Sequence, residues 1–137
     1  MAYLIHWEPA GVYRHYSGYT SFEELVESVL IVENDQRFDE IRYVINDFLA
    51  SEQVSFTPEG ITELSAVDGA AERSNPNIRI AIVADRPEIR AAGEAYIAAG
   101  LNTYETRIFS TLAEARQWAE ENLPKTRVPP WQLGRIH

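Results

Sequence analysis

The sequence predicts an α/β domain in which a β-hairpin is followed by three β-α units, giving a five-stranded, mostly parallel sheet with four helices mainly on one face. Short β-branched and aromatic runs alternate with longer segments of helical period, which is the order of strands joined by right-handed crossovers. The strands also alternate between apolar and polar residues, whereas strands buried on both faces are almost continuously apolar. We therefore expect the second face of the sheet to be less fully buried, with the hairpin strand at an edge.

The first elements are a hairpin and an amphipathic helix. Strands at Tyr3–Trp7 and at 12–16 flank a Glu-Pro-Ala-Gly turn, in which proline presets the turn and glycine relaxes its exit. Gly18 is expected to end the second strand. A capping-box sequence begins at Ser21 and precedes apolar residues at helical intervals, so a helix should run from there to about Asn34.

The middle of the chain holds the predicted central strand, 41–47, which reads Ile-Arg-Tyr-Val-Ile-Asn-Asp and follows a polar connector at 35–40. An irregular segment is expected at 48–56. Thr57 then acts as an N-cap with Pro58 at the first helical position, which predicts the second helix. Its inward side should use Ile61, Leu64, Val67 and Ala71.

Two further strand-helix units complete the predicted domain. A strand at 78–84 is followed by a helix that Asp85 caps and that Gly100 ends. The last strand, 104–109, precedes a helix whose capping box begins at Thr111 and which Pro124 stops. We therefore expect a domain spanning 1–124 and, after it, an extended tail at 125–137 that contains Pro129, Pro130 and Trp131.

The composition is that of one globular domain. The chain has 137 residues, of which 45% are hydrophobic and 24% charged. Its net charge of −9 repels nucleic acid, and no apolar run is long enough to span a membrane. Cysteine is absent, which excludes disulfides and thiol catalysis, and the N-terminus lacks signal-peptide features. We expect a cytoplasmic protein without a cofactor and without nucleic-acid or membrane-inserted partners.

Three runs, at 41–48, 78–85 and 107–118, together with the order of elements, resemble STAS-type domains. The resemblance covers roughly 1–124 and is to the SpoIIAA-like group, whose founding members are bacterial anti-sigma-factor antagonists. It rests on fold signatures and implies a bacterial regulatory protein that binds a protein partner. Many SpoIIAA-like proteins outside that signalling system have no assigned function, and related folds include lipid-binding domains.

The resemblance also implies a phosphorylatable serine or threonine at the start of the second helix, preceded by aspartate in an Asp-Ser-Ser-Gly-Leu-like motif. The matching place here reads Ser-Phe-Thr-Pro-Glu-Gly-Ile, so Thr57 stands at the phosphoacceptor position and Phe56 replaces the acid. Ser51 and Ser55 are alternatives in the same segment. A phosphate at Thr57 would gain from the helix dipole, but the plain interpretation of this threonine is an N-cap.

Charged residues at strand ends and along strands are further candidates. Asp47 and Asp85 end two strands, where carboxylates can share a proton or hold a divalent cation; the alternative is that they cap loops and helices. Arg42, Arg79 and Arg107 each occupy the second position of a strand, so an equivalent register would stack them as an anion-binding strip or a dimer surface. The alternative is a solvated face with surface ion pairs.

Histidines and catalytic motifs give weaker signals. His6 and His15 are expected on one face of the hairpin, but two histidines do not make a zinc site. Neither a Gly-x-Ser-x-Gly elbow nor a Gly-rich phosphate loop occurs in the sequence.

The sequence therefore favours a non-enzymatic, STAS-like interaction module that binds a protein partner or forms a homodimer through the sheet face and residues 47–57. One alternative is a binding module for an apolar or anionic, lipid-like small molecule held on the open sheet face beneath the tail. A hydrolase that uses Asp47 and Asp85 is a third hypothesis.

Overall fold

The computed structural model describes residues 3–121 and 123. Its strands are β1 (Tyr3–Trp7), β2 (Gly11–Thr20), β3 (Tyr43–Val54), β4 (Arg79–Val83) and β5 (Glu105–Phe109). The α-helices of this part of the chain are α1 (Phe22–Glu33), α2 (Pro58–Ala71), α3 (Pro87–Ala99) and α4 (Leu112–Ala119), and a short 3-10 helix (Gln36–Glu40) precedes β3.

The five strands lie in one sheet in sequential order, β1-β2-β3-β4-β5. β1 is antiparallel to β2, and the other neighbours are parallel. Because the order always advances in one direction, right-handed crossovers bring α1, α2 and α3 to the same face of the sheet. The predicted fold class is confirmed, including the edge position of the hairpin strand and the placement of most helices on one face.

The larger core lies between the sheet and the three crossover helices. Alternate strand residues such as Val12, Val44 and Ile80 face Leu25 of α1 and Leu64 of α2, and all five are buried. The register pairs Tyr43 with Arg79, so the even-numbered residues of β3 and β4 share this helix face. Burial of such side chains is the main favourable term in folding.

The helix α4 packs on the opposite face of the sheet. Trp118 is 5% exposed and belongs to a second apolar cluster with Ile45 and Val83. Arg116 binds Glu8 of the β1–β2 turn through two hydrogen bonds of 3.0 and 2.7 Å, which fixes α4 to the hairpin. The second face, expected to be less fully covered, is thus covered by α4 over β3 and β4.

Several predicted boundaries are confirmed and others are wrong. The capping box at Ser21 forms both of its bonds, Asn34 is the C-cap of α1, and Thr57 caps α2. Asp85 does not cap α3, because Arg86 occupies the N-cap position without a side-chain bond. The fourth helix ends at Ala119, before the predicted stop. The predicted tail, 125–137, and Pro124 lie outside the described residues.

The largest difference concerns β2 and β3, which continue beyond their predicted ends. β2 passes through Gly18, whose φ is 62°, and β3 runs to Val54 where an irregular segment was predicted. Two register shifts, one of them next to Gly18, accommodate the extra residues of β3. Polar residues such as Glu52 and Gln53 made this stretch resemble a loop, although its backbone pairs with β2.

Candidate functional site

The carboxyl end of β3 forms a two-stranded extension of the sheet, consisting of residues 16–20 of β2 and 48–54 of β3. β4 pairs with β3 only as far as Asp47, whereas β2 pairs with it as far as Val54. Within the described residues, β3 therefore has a strand neighbour on only one side beyond Asp47. Leu49, Ala50 and Glu52 are exposed there. An unpaired strand edge presents N–H and C=O groups that another chain can bind.

Aromatic stacking and hydroxyl contacts hold this two-stranded extension in place. The Phe48 ring stacks on Tyr16 at 4.5 Å, and Phe56 meets Phe48 edge-on at 6.1 Å. The Thr20 and Ser51 hydroxyl oxygens lie 3.2 Å apart, and both residues are fully buried. The extension is therefore packed on one side and exposed on the other.

The candidate phosphoacceptors differ in accessibility. Thr57 is exposed, and its hydroxyl oxygen accepts a 3.1 Å hydrogen bond from the Gly60 N–H at the start of α2. Ser55 is also exposed, and its hydroxyl accepts a 3.1 Å bond from the Phe22 N–H at the start of α1. Ser51 has no exposed surface, so a kinase cannot reach its hydroxyl in the folded domain.

Asp47 lies at the base of the two-stranded extension and is 5% exposed. Its carboxylate accepts a 2.6 Å hydrogen bond from the Tyr13 hydroxyl and a 3.0 Å bond from the Leu49 N–H. These contacts fix the point at which β3 leaves β4. The side chain is thus bonded within the domain, whereas Asp85 is exposed.

The three candidate arginines do not form the predicted row. Arg79 lies opposite Tyr43 and Arg107 opposite Ala81, so Arg42, one residue before Tyr43, is out of register with Arg79. Arg79 and Arg107 instead flank the ring of α4's Trp118, at 4.9 and 5.1 Å from its centre. Both arginines form an ion pair with Glu105 of β5. The nitrogen–oxygen distances are 3.2 Å for Arg79 and 3.5 Å for Arg107.

The remaining polar candidates lie on the hairpin. Trp7 pairs with Val12 and His6 with Tyr13, so His6 and His15 lie on one face of the hairpin, as predicted. The His15 ring lies 6.2 Å from that of Tyr13. Across residues 3–121 and 123, no three His, Cys, Asp or Glu side chains are grouped to hold a metal ion.

A second candidate site, the helix-side cavity, lies between the sheet and helices α1, α2 and α3. Its volume is about 50 Å³, which is room for a few water molecules. The apolar lining includes Leu25, Val29, Phe48, Phe56, Ile61, Leu64, Ile80, Ile82, Ile89 and Ala92. Arg14, Asn46 and Asp68 are the charged or amide side chains that line it. A mostly apolar cavity with a few polar groups is typical of small-molecule sites.

Arg14 is the buried cation of the helix-side cavity. The side chain projects from β2 beside Asn46 of β3, and the residue is 5% exposed. Its Nε donates a 2.8 Å hydrogen bond to the Asn46 Oδ1, and its Nη1 donates a 3.3 Å bond to the Ser28 carbonyl. Both acceptors are uncharged.

Acidic groups lie near Arg14 but are bonded to other partners. The Tyr96 hydroxyl donates to Asp68, and Asn102 donates a 2.9 Å bond to that same hydroxyl. Burial, together with the hydrogen bond to Asp68 and its negative charge, raises the pKa of Glu33 to about 9. Glu33 is therefore neutral at pH 7 and lines a smaller adjoining cavity of about 20 Å³ that Arg14 also lines.

Sequence reasoning missed the helix-side cavity, although a signal for it was present. Arg14 falls between Val12 and Tyr16, both at inward positions of β2. Asp68 follows Leu64 by one helical turn on the inward side of α2. A polar residue at an inward position of an otherwise apolar pattern marks such a site.

No helix among the described residues has both the length and the apolar character of a membrane span. No family model and no curated protein sequence matches the chain.

Solved structures do match the chain. The unphosphorylated form of the anti-sigma factor antagonist SpoIIAA is 10% identical, with a TM-score of 0.58, over 85% of this chain and 96% of that one. An uncharacterised DUF3478-family protein with a SpoIIAA-like fold, from Shewanella loihica PV-4, is 16% identical, with a TM-score of 0.55, over 86% of this chain and 92% of that one. The phosphorylated form of SpoIIAA, a Bacillus cell fate determinant, is 14% identical, with a TM-score of 0.52, over 85% of this chain and 98% of that one. The chain therefore has the SpoIIAA-like fold of STAS-type domains.

Proposed function

We propose that this protein is a non-enzymatic regulatory module of the bacterial cytoplasm that binds a protein partner, or a second copy of itself, through the two-stranded extension. The observation that supports this most directly is the free edge of β3 beyond Asp47. On that side β4 has ended, and no other described strand pairs with β3. An extended segment of a partner can add to such an edge through main-chain hydrogen bonds. The SpoIIAA-like fold agrees with a role in protein interaction.

Contact through this edge is tested by site-specific photocrosslinking in the protein's own host. A photoreactive phenylalanine analogue at Leu49, 37% exposed on the extension, should capture one partner or a second copy. The same analogue at Ile97, 44% exposed on α3, is the matched control. Equal capture at both positions, or none at Leu49, contradicts the proposed surface. Light scattering of the purified chain separates a partner from self-association.

Regulation by phosphorylation is part of this proposal. One solved relative of the fold is a phosphorylated protein, and Thr57 is exposed at the N-cap of α2, where a phosphate would gain from free N–H groups and the dipole. Mass spectrometry of protein from its host should show an added ~80 Da on the peptide with Ser55 and Thr57. Thr57→Glu should then change the Leu49 crosslink, and an unmodified peptide with an unchanged crosslink contradicts the switch.

We also propose a second function, the binding of an apolar small molecule, which the helix-side cavity supports. The sequence placed such a ligand on the open sheet face beneath the tail. α4 covers that face over β3 and β4, and the cavity lies on the opposite side of the sheet. Native mass spectrometry of protein from its host should reveal a removable bound mass, and a host-purified protein without one contradicts this function.

A further inference from the structure

The helix α1 has a second apolar stripe on a side that is exposed to solvent. Its inward side chains, such as Leu25 and Val29, are buried, whereas Leu30 and Ile31 are 40% and 48% exposed. The residues of this second side recur at helical intervals and line one shallow groove along the helix; they are Glu23, Val26, Glu27, Leu30, Ile31 and Asn34. We call this set the outer stripe. Exposed apolar side chains that adjoin one another, rather than lying singly, indicate a contact surface.

The charge along the outer stripe is negative. α1 contains four glutamates and no Lys, Arg or His, and Glu23 and Glu27 belong to the outer stripe. Glu27 accepts a hydrogen bond from the Tyr3 hydroxyl, which leaves its charge uncancelled. A second copy of this chain, with its net charge of −9, and an anionic membrane surface would both be repelled. The outer stripe therefore favours an occupant that is both apolar and basic.

The segment 125–137, which lies outside the described residues, has this composition. It holds three of the chain's 12 Lys and Arg residues and none of its 21 Asp and Glu residues, so it carries +3 while residues 1–124 carry −12. Its apolar side chains besides proline are Val128, Trp131, Leu133 and Ile136. Opposite charge and apolar contact would both favour its binding to the outer stripe.

The segment also begins within reach of α1. Leu123 packs on the second apolar cluster, which includes Ala10 of the β1–β2 turn. On the other face of the sheet, Arg37, which follows α1, lies over the ring of Trp7 at the same turn, 4.1 Å from its centre. Crossing between the two helix layers takes about 20 Å, because packed layers lie about 10 Å apart. The eight residues from Leu123 to Trp131 can span about 26 Å.

The order of residues in the segment matches the outer stripe. A chain that enters from the end of α1 would bring Trp131 to Leu30 and Ile31 first. Arg135 would follow, at the glutamates nearer the start of the helix. The outer stripe is about 17 Å long at about 1.5 Å per residue, and an extended chain over 131–136 has about the same length. Apolar groups would therefore meet apolar groups, and the arginine would meet carboxylates.

We propose that the segment 125–137 docks on the outer stripe of α1 in the same molecule, with its apolar side chains on Leu30 and Ile31 and with Arg135 at the glutamates. The segment then covers this side of α1, and a protein partner reaches the helix only by displacing it. The outer stripe and the two-stranded extension are different parts of the domain, so this docking is independent of the partner surface proposed above.

A spin label on the segment tests the docking in the full-length chain. Because the chain has no cysteine, Gln132→Cys gives one attachment point and leaves the apolar side chains of the segment in place. The nitroxide should remove most of the NMR intensity of the Leu30 and Ile31 methyl groups, compared with the same sample after the label is reduced. The methyl groups of Ile97, 44% exposed on α3, are the internal control and should keep their intensity.

Reversal of one charge tests the pairing with the glutamates. Glu23→Lys in the spin-labelled chain should restore intensity at the Leu30 and Ile31 methyl groups, because it places a cation where Arg135 binds. Glu94→Lys, at an exposed position of α3, makes the same change in net charge and should leave the intensity loss as it was. Equal restoration by both variants, or by neither, overturns the placement of Arg135.

Two further outcomes overturn the docking itself. Unchanged intensity at Leu30 and Ile31 in the spin-labelled chain, or an equal loss at Ile97, shows that the segment does not bind the outer stripe. An equimolar mixture of spin-labelled chain without isotope and isotope-labelled chain without the spin label should show no loss at these methyl groups. A loss in this mixture shows that the segment binds a second copy and overturns docking within one molecule.

Discussion

At the scale of single residues, the core contains polar side chains that are bonded in place. Arg14 and Asn46 lie side by side on β2 and β3, and Asp68 faces them from α2. Among the described residues, no buried side-chain nitrogen or oxygen lacks a hydrogen-bond partner. A satisfied polar network specifies the arrangement of a core, but losing one member leaves the others buried and unpaired.

The neutral form of Glu33 predicts a pH dependence of stability. Asp68 and Arg14 face this carboxyl, and Tyr104 lies close enough to sense its charge. The folded pKa is raised to about 9 from an unfolded value of 4.5, so the folded state binds the extra proton between these values. This contribution to stability is fully present below 4.5 and is lost as pH rises towards 9.

Urea unfolding at several pH values within this window measures the effect. The urea concentration at the unfolding midpoint should fall with rising pH in the unmodified protein. In Glu33→Gln, whose side chain stays neutral, the midpoint should fall less steeply. Equal slopes in the two proteins would show that Glu33 is ionised in the folded state.

Thr57 gives a second prediction at this scale, independent of any phosphate. Its hydroxyl caps α2 through the Gly60 N–H, so Thr57→Ala should lower the free energy of unfolding by about 1 kcal/mol. Thr57→Ser keeps the oxygen and is the control, with a change of a few tenths of a kcal/mol at most expected. Urea denaturation of both variants measures the difference, and equal losses would show that the cap contributes nothing.

At the scale of elements, close packing between α2 and the segment after α3 limits which residues α2 can carry. A Cβ atom on Gly69 would lie 2.2 Å from the Leu101 carbonyl oxygen. The same segment is fixed to α2 by hydrogen bonds of 3.3 Å from the Leu101 N–H and 3.1 Å from the Asn102 side chain to Ser65. The missing side chain at Gly69 therefore sets the distance between these elements.

Gly69→Ala should accordingly reverse the usual effect of this substitution. In a helix interior the change normally stabilises by about 1 kcal/mol, but here it should destabilise by about 1–3 kcal/mol because the backbone must move apart. The thermal midpoint of the variant measures the sign. Ala70→Gly, at an exposed neighbouring position of α2, is the control and should lose about 1 kcal/mol. A stabilised Gly69→Ala protein would contradict the close contact.

At the scale of the whole molecule, the two cores are unequal, and within residues 3–121 α4 is the helix that covers the smaller one. Trp118 is the largest side chain of this smaller core, and Arg79 donates a 2.7 Å hydrogen bond to its carbonyl oxygen. Trp118→Ala should therefore lower the free energy of unfolding by about 3–5 kcal/mol. Arg107→Ala removes only an exposed neighbour of the same ring and is expected to cost below about 1 kcal/mol. Chemical denaturation compares the two, and a small loss for Trp118→Ala would show that α4 is not part of the cooperative unit.

Local signals in the sequence predicted much of this architecture, and long-range pairing accounts for what they missed. The capping box at Ser21 and the cap at Thr57 depend on residues within one helical turn, so the starts of α1 and α2 were predictable. The continuation of β3 to Val54 depends on its register with β2, which no local pattern encodes. The row of arginines failed for the same reason. The helix-side cavity depends on three helices and the sheet together. The signal for it in the sequence is therefore limited to polar residues at inward positions.

The side chain of Phe56 belongs to several regions at once. It lines the helix-side cavity, packs on Phe48 of the two-stranded extension and directly precedes Thr57. A molecule bound in the cavity would contact this ring, which packs on the two-stranded extension, and would so perturb the surface offered to a partner. Because such coupling is reciprocal, a partner that holds Phe56 in place would change the affinity for the small molecule by the same factor as the small molecule changes the affinity for the partner.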